Sequence, residues 1–224
     1  MNLNKHLEFF NPNDLTEEIH IIGCGAIGST VAEMLTRLGI NELYLYDFDK
    51  VSEHNITNQM FRQADVGELK VTALAKQLQE INPDIKLHLE PQGYTELTRL
   101  RGIVFLAVDS IELRKEIATT LKYNKDIVYV TDCRMGLTDA QCYAASWDNE
   151  KQINSLLQTM QFTSEEAKEA TPISACGTTL SVTPTVRMIV SLCVSNFINF
   201  IKNKEVKTMI IVDAFAMNII YFPI

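Results

Sequence analysis

The sequence predicts an α/β fold: a doubly wound, mainly parallel Rossmann-like sheet with an antiparallel C-terminal addition. Three observations carry that expectation. Short apolar runs alternate with segments of helical periodicity as far as Val130. A glycine-rich loop, Gly23-x-Gly25-x-x-Gly28, separates the first apolar run from the first helical one. Beyond Val130 the alternation breaks down, and the chain ends in two apolar runs divided by a polar turn. At 224 residues, with 46% hydrophobic and 21% charged, the chain reads as a single domain over 1–224. Within it we expect an N-terminal extension at 1–18, a crossover-type loop at 161–174 and a C-terminal hairpin at 205–224.

Residues 19–22, Ile-His-Ile-Ile, form a short strand broken by Gly23-Cys24-Gly25. Ile27, Val31, Met34, Leu35 and Leu38 then recur at helical spacing, and Gly39 ends that helix. The second strand, 43–46, stops at Asp47. Val66, Leu69, Ala73, Leu74, Leu78 and Ile81 predict a second helix that stops before Asn82-Pro83. Strands follow at 85–89 and 103–108, then a helix at 111–121 and a strand at 127–130. Next come a strand at 141–147 and a helix at 150–160. The polar, acidic stretch 162–174 contains Thr163-Ser164-Glu165-Glu166, which has capping-box spacing and predicts a short helix. Thr183 is placed to cap the last helix and Pro184 suits its first turn. Its apolar stripe is Val186, Ile189, Val190, Cys193, Val194, Phe197 and Ile201.

The net charge of −8 makes nucleic acid and anionic membranes poor non-specific partners, so phosphate binding requires a local site. Five scattered cysteines without a Cys-x-x-Cys pair argue against a disulfide framework or a zinc ribbon. Cys24 and Cys193 read as structural. The N-terminus lacks a cationic start followed by an apolar run. The most apolar stretch, 186–201, is interrupted by Arg187, Asn196 and Asn199, which argues against a membrane span. These features together point to a cytoplasmic protein.

With no side chains at Gly23, Gly25 and Gly28, backbone N–H groups and a helix N-terminus can approach phosphate oxygens. Asp47 lies 24 residues after Gly23, where a carboxylate accepts hydrogen bonds from both ribose hydroxyls and disfavours a 2′-phosphate. The alternative is that the glycines only permit a tight turn and close helix packing. The fingerprint specifies a nucleotide and leaves NAD, FAD and ATP open.

The segment after Asp47 is more specific. The chain runs Asp47-Phe48-Asp49-Lys50-Val51-Ser52-Glu53-His54-Asn55, passes Gln59, and reaches Val66-Gly67-Glu68-Leu69-Lys70. Gly-x-Gly-x-x-Gly, then Asp-x-Asp-x-Val-x-x-x-Asn, Gln and Val-Gly-x-x-Lys resembles the ThiF/MoeB/HesA superfamily of ubiquitin-activating-enzyme-like adenylyltransferases. Asn82-Pro83, Asp109-Ser110, Arg134-Met135-Gly136 and Cys176, eight residues before Pro184, extend the resemblance over 19–204. It is a minimal form, without the zinc-binding cysteine pairs of many relatives.

The resemblance implies ATP-dependent adenylation of a carboxylate, giving an acyl-adenylate and pyrophosphate. The implied partner is the C-terminus of a peptide or small ubiquitin-like protein, and the implied assembly a homodimer. Carried over by position, Gly23, Gly25, Ala26 and Gly28 face the nucleotide, with Asp47 on the ribose and Asp49 beside it. Asn55, Asn58 and Gln59 line the phosphate site, Lys70 contacts phosphate oxygens, and Asp109 holds Mg²⁺. The family normally has arginine where this chain has Asn58; Arg62, one turn on if that stretch is helical, is the candidate replacement. Cys176 matches a thiol that in some relatives takes the acyl group or forms a sulfur link, and otherwise reads as a small buried residue.

Two of these residues also have readings of their own. Lys70 stands at i+4 from Val66 and i−4 from Leu74, inside an apolar stripe, either as a functional ammonium or as a lysine snorkelling to solvent. Asp109 follows an apolar strand at the carboxyl edge of the sheet, where ligands collect, and can equally cap the next helix. Two other functions stay open: a nucleotide-binding scaffold or regulator without turnover, and an NAD-dependent oxidoreductase. The last leaves Asn55, Gln59 and Lys70 without roles.

Overall fold

The strands in chain order are β1 (Ile19–Ile22), β2 (Glu42–Tyr46), β3 (Lys86–Glu90), β4 (Gly102–Leu106), β5 (Ile127–Met135), β6 (Asp139–Ser146), β7 (Met209–Asp213) and β8 (Asn218–Phe222). The helices are α1 (Ala26–Arg37), α2 (Lys70–Ile81), α3 (Ile111–Leu121), α4 (Glu150–Gln158), α5 (Ser164–Ala170) and α6 (Thr183–Asn203). The computed structural model describes residues 1–170 and 180–222. One sheet holds all eight strands in the order β3-β2-β1-β4-β5-β6-β7-β8. It is parallel from β3 through β5 and antiparallel from β5 to β8. The expected parallel sheet with an antiparallel addition is therefore present.

The four residues of β1 are buried on both faces, as a central parallel strand requires. One face packs Ile19, Ile21, Leu43, Leu45, Ile103 and Phe105 against α1, α2 and α6. The other packs Ile22, Val104, Leu106 and Val130 against Ile117, Trp147, Ile153 and Met160 around α3 and α4. Because β1 lies between β2 and β4, and the helices after those strands go to opposite faces, a crevice opens beyond the carboxyl ends of β1, β2 and β4.

The N-terminal extension is part of the packing. Phe10 is 2% exposed and meets Phe197 edge-on, with ring centroids 6.5 Å apart. By length and composition α6 is apolar enough to cross a membrane. Its stripe from Val186 to Phe197 is instead buried on the sheet, so it is packing, more than the three interrupting polar residues, that argues for a core helix. The box at Thr163 forms: Thr163 N–H donates to Glu166 Oε2 at 2.7 Å, and Glu166 N–H to Thr163 Oγ1 at 3.2 Å.

Three expectations need correction. The second helix begins at Lys70, not near Val66; residues 63–65 form a single 3-10 turn and Val66 is 38% exposed. Gly67, with φ +92°, bends the chain between them. Thr183 is the first residue of α6 and not its cap; that place falls to Val182, and the Thr183 hydroxyl donates to Thr57 O at 2.5 Å. The strand expected over 127–130 runs on to Met135, because β6 returns beside it and supplies a ladder that no local pattern announces.

Candidate nucleotide-phosphate site

The turn after β1 is built on two close approaches. Gly23 has φ +95°, and a Cβ there would lie 2.6 Å from Ala107 O at the end of the adjacent strand. A Cβ on Gly28 would lie 1.8 Å from Gly23 O, so the helix can fold back on its own loop only with glycine at both points. Gly25 is different. It is the N-cap of α1, makes no side-chain cap, and its Cβ position is open, the nearest atom being Gln59 Nε2 at 4.0 Å. The first N–H groups of α1 therefore receive no side-chain cap, and they carry the positive end of the helix dipole.

Asp47 closes the other side of the crevice. Its Oδ2 accepts from Cys24 N–H at 2.7 Å and its Oδ1 from Asp49 N–H at 2.8 Å. Burial raises its carboxyl above the ordinary value, while the nearby Lys70 ammonium and the two N–H donors oppose that rise. Each oxygen retains a lone pair for a hydroxyl. Burial pushes the Cys24 thiol up, which keeps it neutral and supports its structural reading.

Lys70 is positioned by a small antiparallel contact. Lys70 N–H donates to Asp49 O at 2.9 Å, Val51 N–H to Glu68 O at 2.8 Å, and Gly67 N–H to Val51 O at 2.9 Å. This clip brings the first residue of α2 beside the end of β2. Lys70 is 7% exposed, and its Nζ donates to Asp49 Oδ2 at 2.7 Å. The snorkelling alternative is excluded by that burial. Val66 lies outside the helix and so is no part of its stripe, yet Lys70 is buried as a member of an apolar stripe would be.

Asn55 is 6% exposed, and its Oδ1 accepts from both Ser52 N–H and Ser52 Oγ at 2.9 Å, closing the 3-10 turn Glu53–Thr57. Asn58 donates from Nδ2 to Ser181 Oγ just before α6. The Oε1 of Gln59 is buried without a partner among the described residues. Asp109 is exposed in the loop after β4. The cap of α3 is Ser110, whose Oγ accepts from Leu113 N–H at 3.1 Å, so Asp109 is not spent on capping.

Arg62 does not join this group. The turn ends at Asn58, so the helix on which its reach depended is absent. Its guanidinium instead pairs with Glu80 on α2 at 2.8 Å, 59% exposed. Cys176 lies outside the described residues.

A buried ion cluster lies beneath the loop that carries Asp109, and no local sequence pattern announces it. Asp132 is fully buried and pairs with both Arg114 and Arg134. Arg114 also donates to the carbonyls of Leu106, at 3.1 Å, Cys133, at 2.9 Å, and Val108. Arg134 donates to Thr159 O at 2.7 Å and to Thr159 Oγ1 at 2.9 Å. The ion cluster thus fixes the carbonyls that lead to Asp109. Ser164 Oγ accepts from Ile111 N–H at 3.1 Å and Ser164 N–H donates to Glu112 Oε1 at 2.6 Å, which anchors α5 beside the same loop. Donation from the Ser164 hydroxyl first, and then from its N–H, lowers the Glu112 carboxyl to about 2.

The ThiF family model matches residues 15–224. Ubiquitin-like modifier-activating enzyme 5 from Arabidopsis thaliana is 48% identical over 69 residues, 31% of this chain and 16% of that protein. The enzyme of that name from Xenopus laevis is 39% identical over 121 residues, 46% of this chain and 30% of that protein. The chain thus spans a minor share of the length of these relatives. Among solved structures, PaaA superposes with a TM-score of 0.74 at 18% identity, covering 99% of this chain and 68% of that one. Escherichia coli MccB, solved with ATP, superposes with a TM-score of 0.71 at 16% identity, covering 95% of this chain and 65% of that one.

Proposed function

Since the chain belongs to the ThiF family, we propose that it binds Mg-ATP in the crevice above β1, β2 and β4 and adenylates a carboxylate at the C-terminus of a peptide or small protein. The observation that carries the proposal is the placement of a helix N-terminus without a side-chain cap at Gly25, a buried lysine at Lys70 and the Asp47 carboxylate together beyond the carboxyl ends of β1 and β2. A dinucleotide site has use for the loop and the carboxylate but none for the buried ammonium, which disfavours the oxidoreductase.

The reaction joins a carboxylate oxygen to the α-phosphorus of ATP and breaks its bond to the bridging oxygen, so that pyrophosphate leaves. Little covalent chemistry falls to the protein; its contribution is alignment and charge stabilisation. In this reading Asp47 holds the ribose, the N–H groups after Gly25 receive phosphate oxygens, and Lys70 moves from Asp49 to the triphosphate. Asp109, an exposed carboxylate in a fixed loop, fits the oxygen-donor chemistry of Mg²⁺. When bound there, the ion would neutralise charge on the phosphate oxygens. MccB, solved together with MccA and AMPCPP, supports a peptide as the acceptor.

The homodimer is supported by the C-terminal hairpin, where Phe215 and Met217 are 83% and 82% exposed and every residue of β8, the last strand of the sheet, is exposed. Its test is the mass of the particle in solution. Free thiols at Cys24, Cys133, Cys142 and Cys193 support a cytoplasmic location.

ATP–pyrophosphate exchange tests the activity, using peptides with free C-termini, a Gly-Gly tail among them, against the same peptides amidated. Exchange only with the free acids is expected. Tight ATP binding with no exchange under any acid would favour the non-catalytic reading, for which the neutral Asn58 and the outward Arg62 speak.

A further inference from the structure

The cations near the crevice are mostly accounted for. Lys70 is balanced by Asp49 and Arg62 by Glu80. Arg187, in the early turns of α6, is half-buried, yet its contacts are of another kind. Its Nη1 donates to Thr30 Oγ1 at 3.3 Å, and its Nη2 lies 2.9 Å from Met60 Sδ. Neither group carries charge, and the Thr30 hydroxyl already donates to Ala26 O at 2.8 Å. Among the described residues no carboxylate pairs with this guanidinium. A guanidinium partly withdrawn from water and left with a hydroxyl and a thioether has unused donors and an uncompensated charge.

Both partners belong to the wall of the phosphate site. Thr30 stands one turn below Ala26 on α1, the helix whose N-terminus faces the crevice. Met60 follows Gln59, and its N–H donates to Ser29 Oγ at 3.2 Å. Gln59 supplies the second observation, a buried Oε1 without a partner next to the open face of Gly25. The start of α6 is tied to this wall by Thr183 to Thr57 and by Asn58 to Ser181. Helical side chains lean toward the N-terminus of their helix, so Arg187 leans toward those contacts.

We propose that Arg187 is the second phosphate-contacting cation of the site: it leaves Met60 when nucleotide binds and donates to polyphosphate oxygens. Guanidinium matches phosphate geometry with paired donors, which a thioether cannot use. This inference rests on the ATP-binding reading and adds a residue to it. It locates on α6 the positive charge that neither Asn58 nor Arg62 supplies.

The test is calorimetry on the full chain with Mg-ATP and, separately, adenosine, for wild type, Arg187→Ala, Arg187→Gln and Arg187→Lys. Loss of a hydrogen bond to a charged group should weaken ATP binding about 10- to 100-fold in the Ala and Gln variants. Adenosine affinity should stay within about twofold, and lysine should recover part of the loss. Thermal melts identify a variant that fails to fold, and the shorter, uncharged but still polar Gln variant carries the test if Ala does. Equal loss for ATP and adenosine would mark a structural role and overturn the inference. So would unchanged ATP affinity, including the case in which only a peptide acid binds more weakly. If wild type binds adenosine but not ATP, the reading beneath fails as well, and the two failures are thereby told apart.

Discussion

Replacing Asp132 by Asn keeps the shape of a fully buried side chain and removes the charge that two guanidinium groups share. Arg114 is 7% and Arg134 13% exposed, so neither can turn fully to water. Breaking a buried pair by removing one partner costs about 3–5 kcal/mol, because the remaining charge stays desolvated. The low end applies, since Arg114 keeps the carbonyls of Leu106, Cys133 and Val108, and Arg134 keeps Thr159. With about 3 kcal/mol lost and roughly 2–4 °C per kcal/mol at this chain length, the melting midpoint should fall by about 6–12 °C. Urea denaturation should show a lower midpoint with an unchanged slope. Amide exchange in the loop before Asp109 should quicken, because the same cluster anchors its carbonyls. A loss below about 1 kcal/mol would refute the reasoning, since it would mean that water reaches the cluster.

Other outcomes rest on single features. Gly25→Ala adds a methyl group to open space, so thermal stability should change by less than about 1 kcal/mol while Mg-ATP affinity falls, as seen by melting and calorimetry together. Asp49→Asn removes the counter-charge of a lysine whose side chain is 9% exposed, and should destabilise the free protein by about 1–3 kcal/mol, with Mg-ATP restoring part of the loss in a melt. His20 is 1% exposed, contacts Tyr46 Oη at 2.9 Å, and burial lowers its pKa from 6.5 to about 4. The unfolded chain therefore takes up the proton first. Stability from the neutral ring is complete above pH 6.5 and is lost as pH falls toward 4, by about 3 kcal/mol. His20→Gln should flatten that dependence in urea denaturation between pH 7.5 and pH 4.

The fold was largely legible because strand and helix periods are local properties. Ile19–Ile22, the Gly23 turn and the α1 stripe depend on neighbours in sequence, and so does the Thr163 box. What was not legible depended on distant pairing. The start of α2 is set by the clip between 49–51 and 67–70, and the length of β5 by β6 returning alongside it. Lys70 stands out in the sequence as a charge among apolar neighbours, although the helical stripe that its spacing from Val66 suggests begins only at Lys70 itself. Arg114 and Asp132 gave no signal, since a charge on an amphipathic helix and an acid in a strand look ordinary until the fold buries them together. The convergence of the Cys133, Cys142 and Cys193 thiols, within 4.8 Å of one another, likewise joins the β5–β6 pair to a helix far along the chain.

The most direct trial of the account is titration of Mg-ATP into wild type and Lys70→Met at matched concentration. Methionine approximates the lysine stem and leaves Asp49, 53% exposed, free to hydrate, so the variant should melt near wild type. Saturable heat from one site in the wild type, weakened about tenfold or more in the variant, is the expected result. Equal heats in both proteins, or none in either, would contradict the assignment of this crevice to a triphosphate.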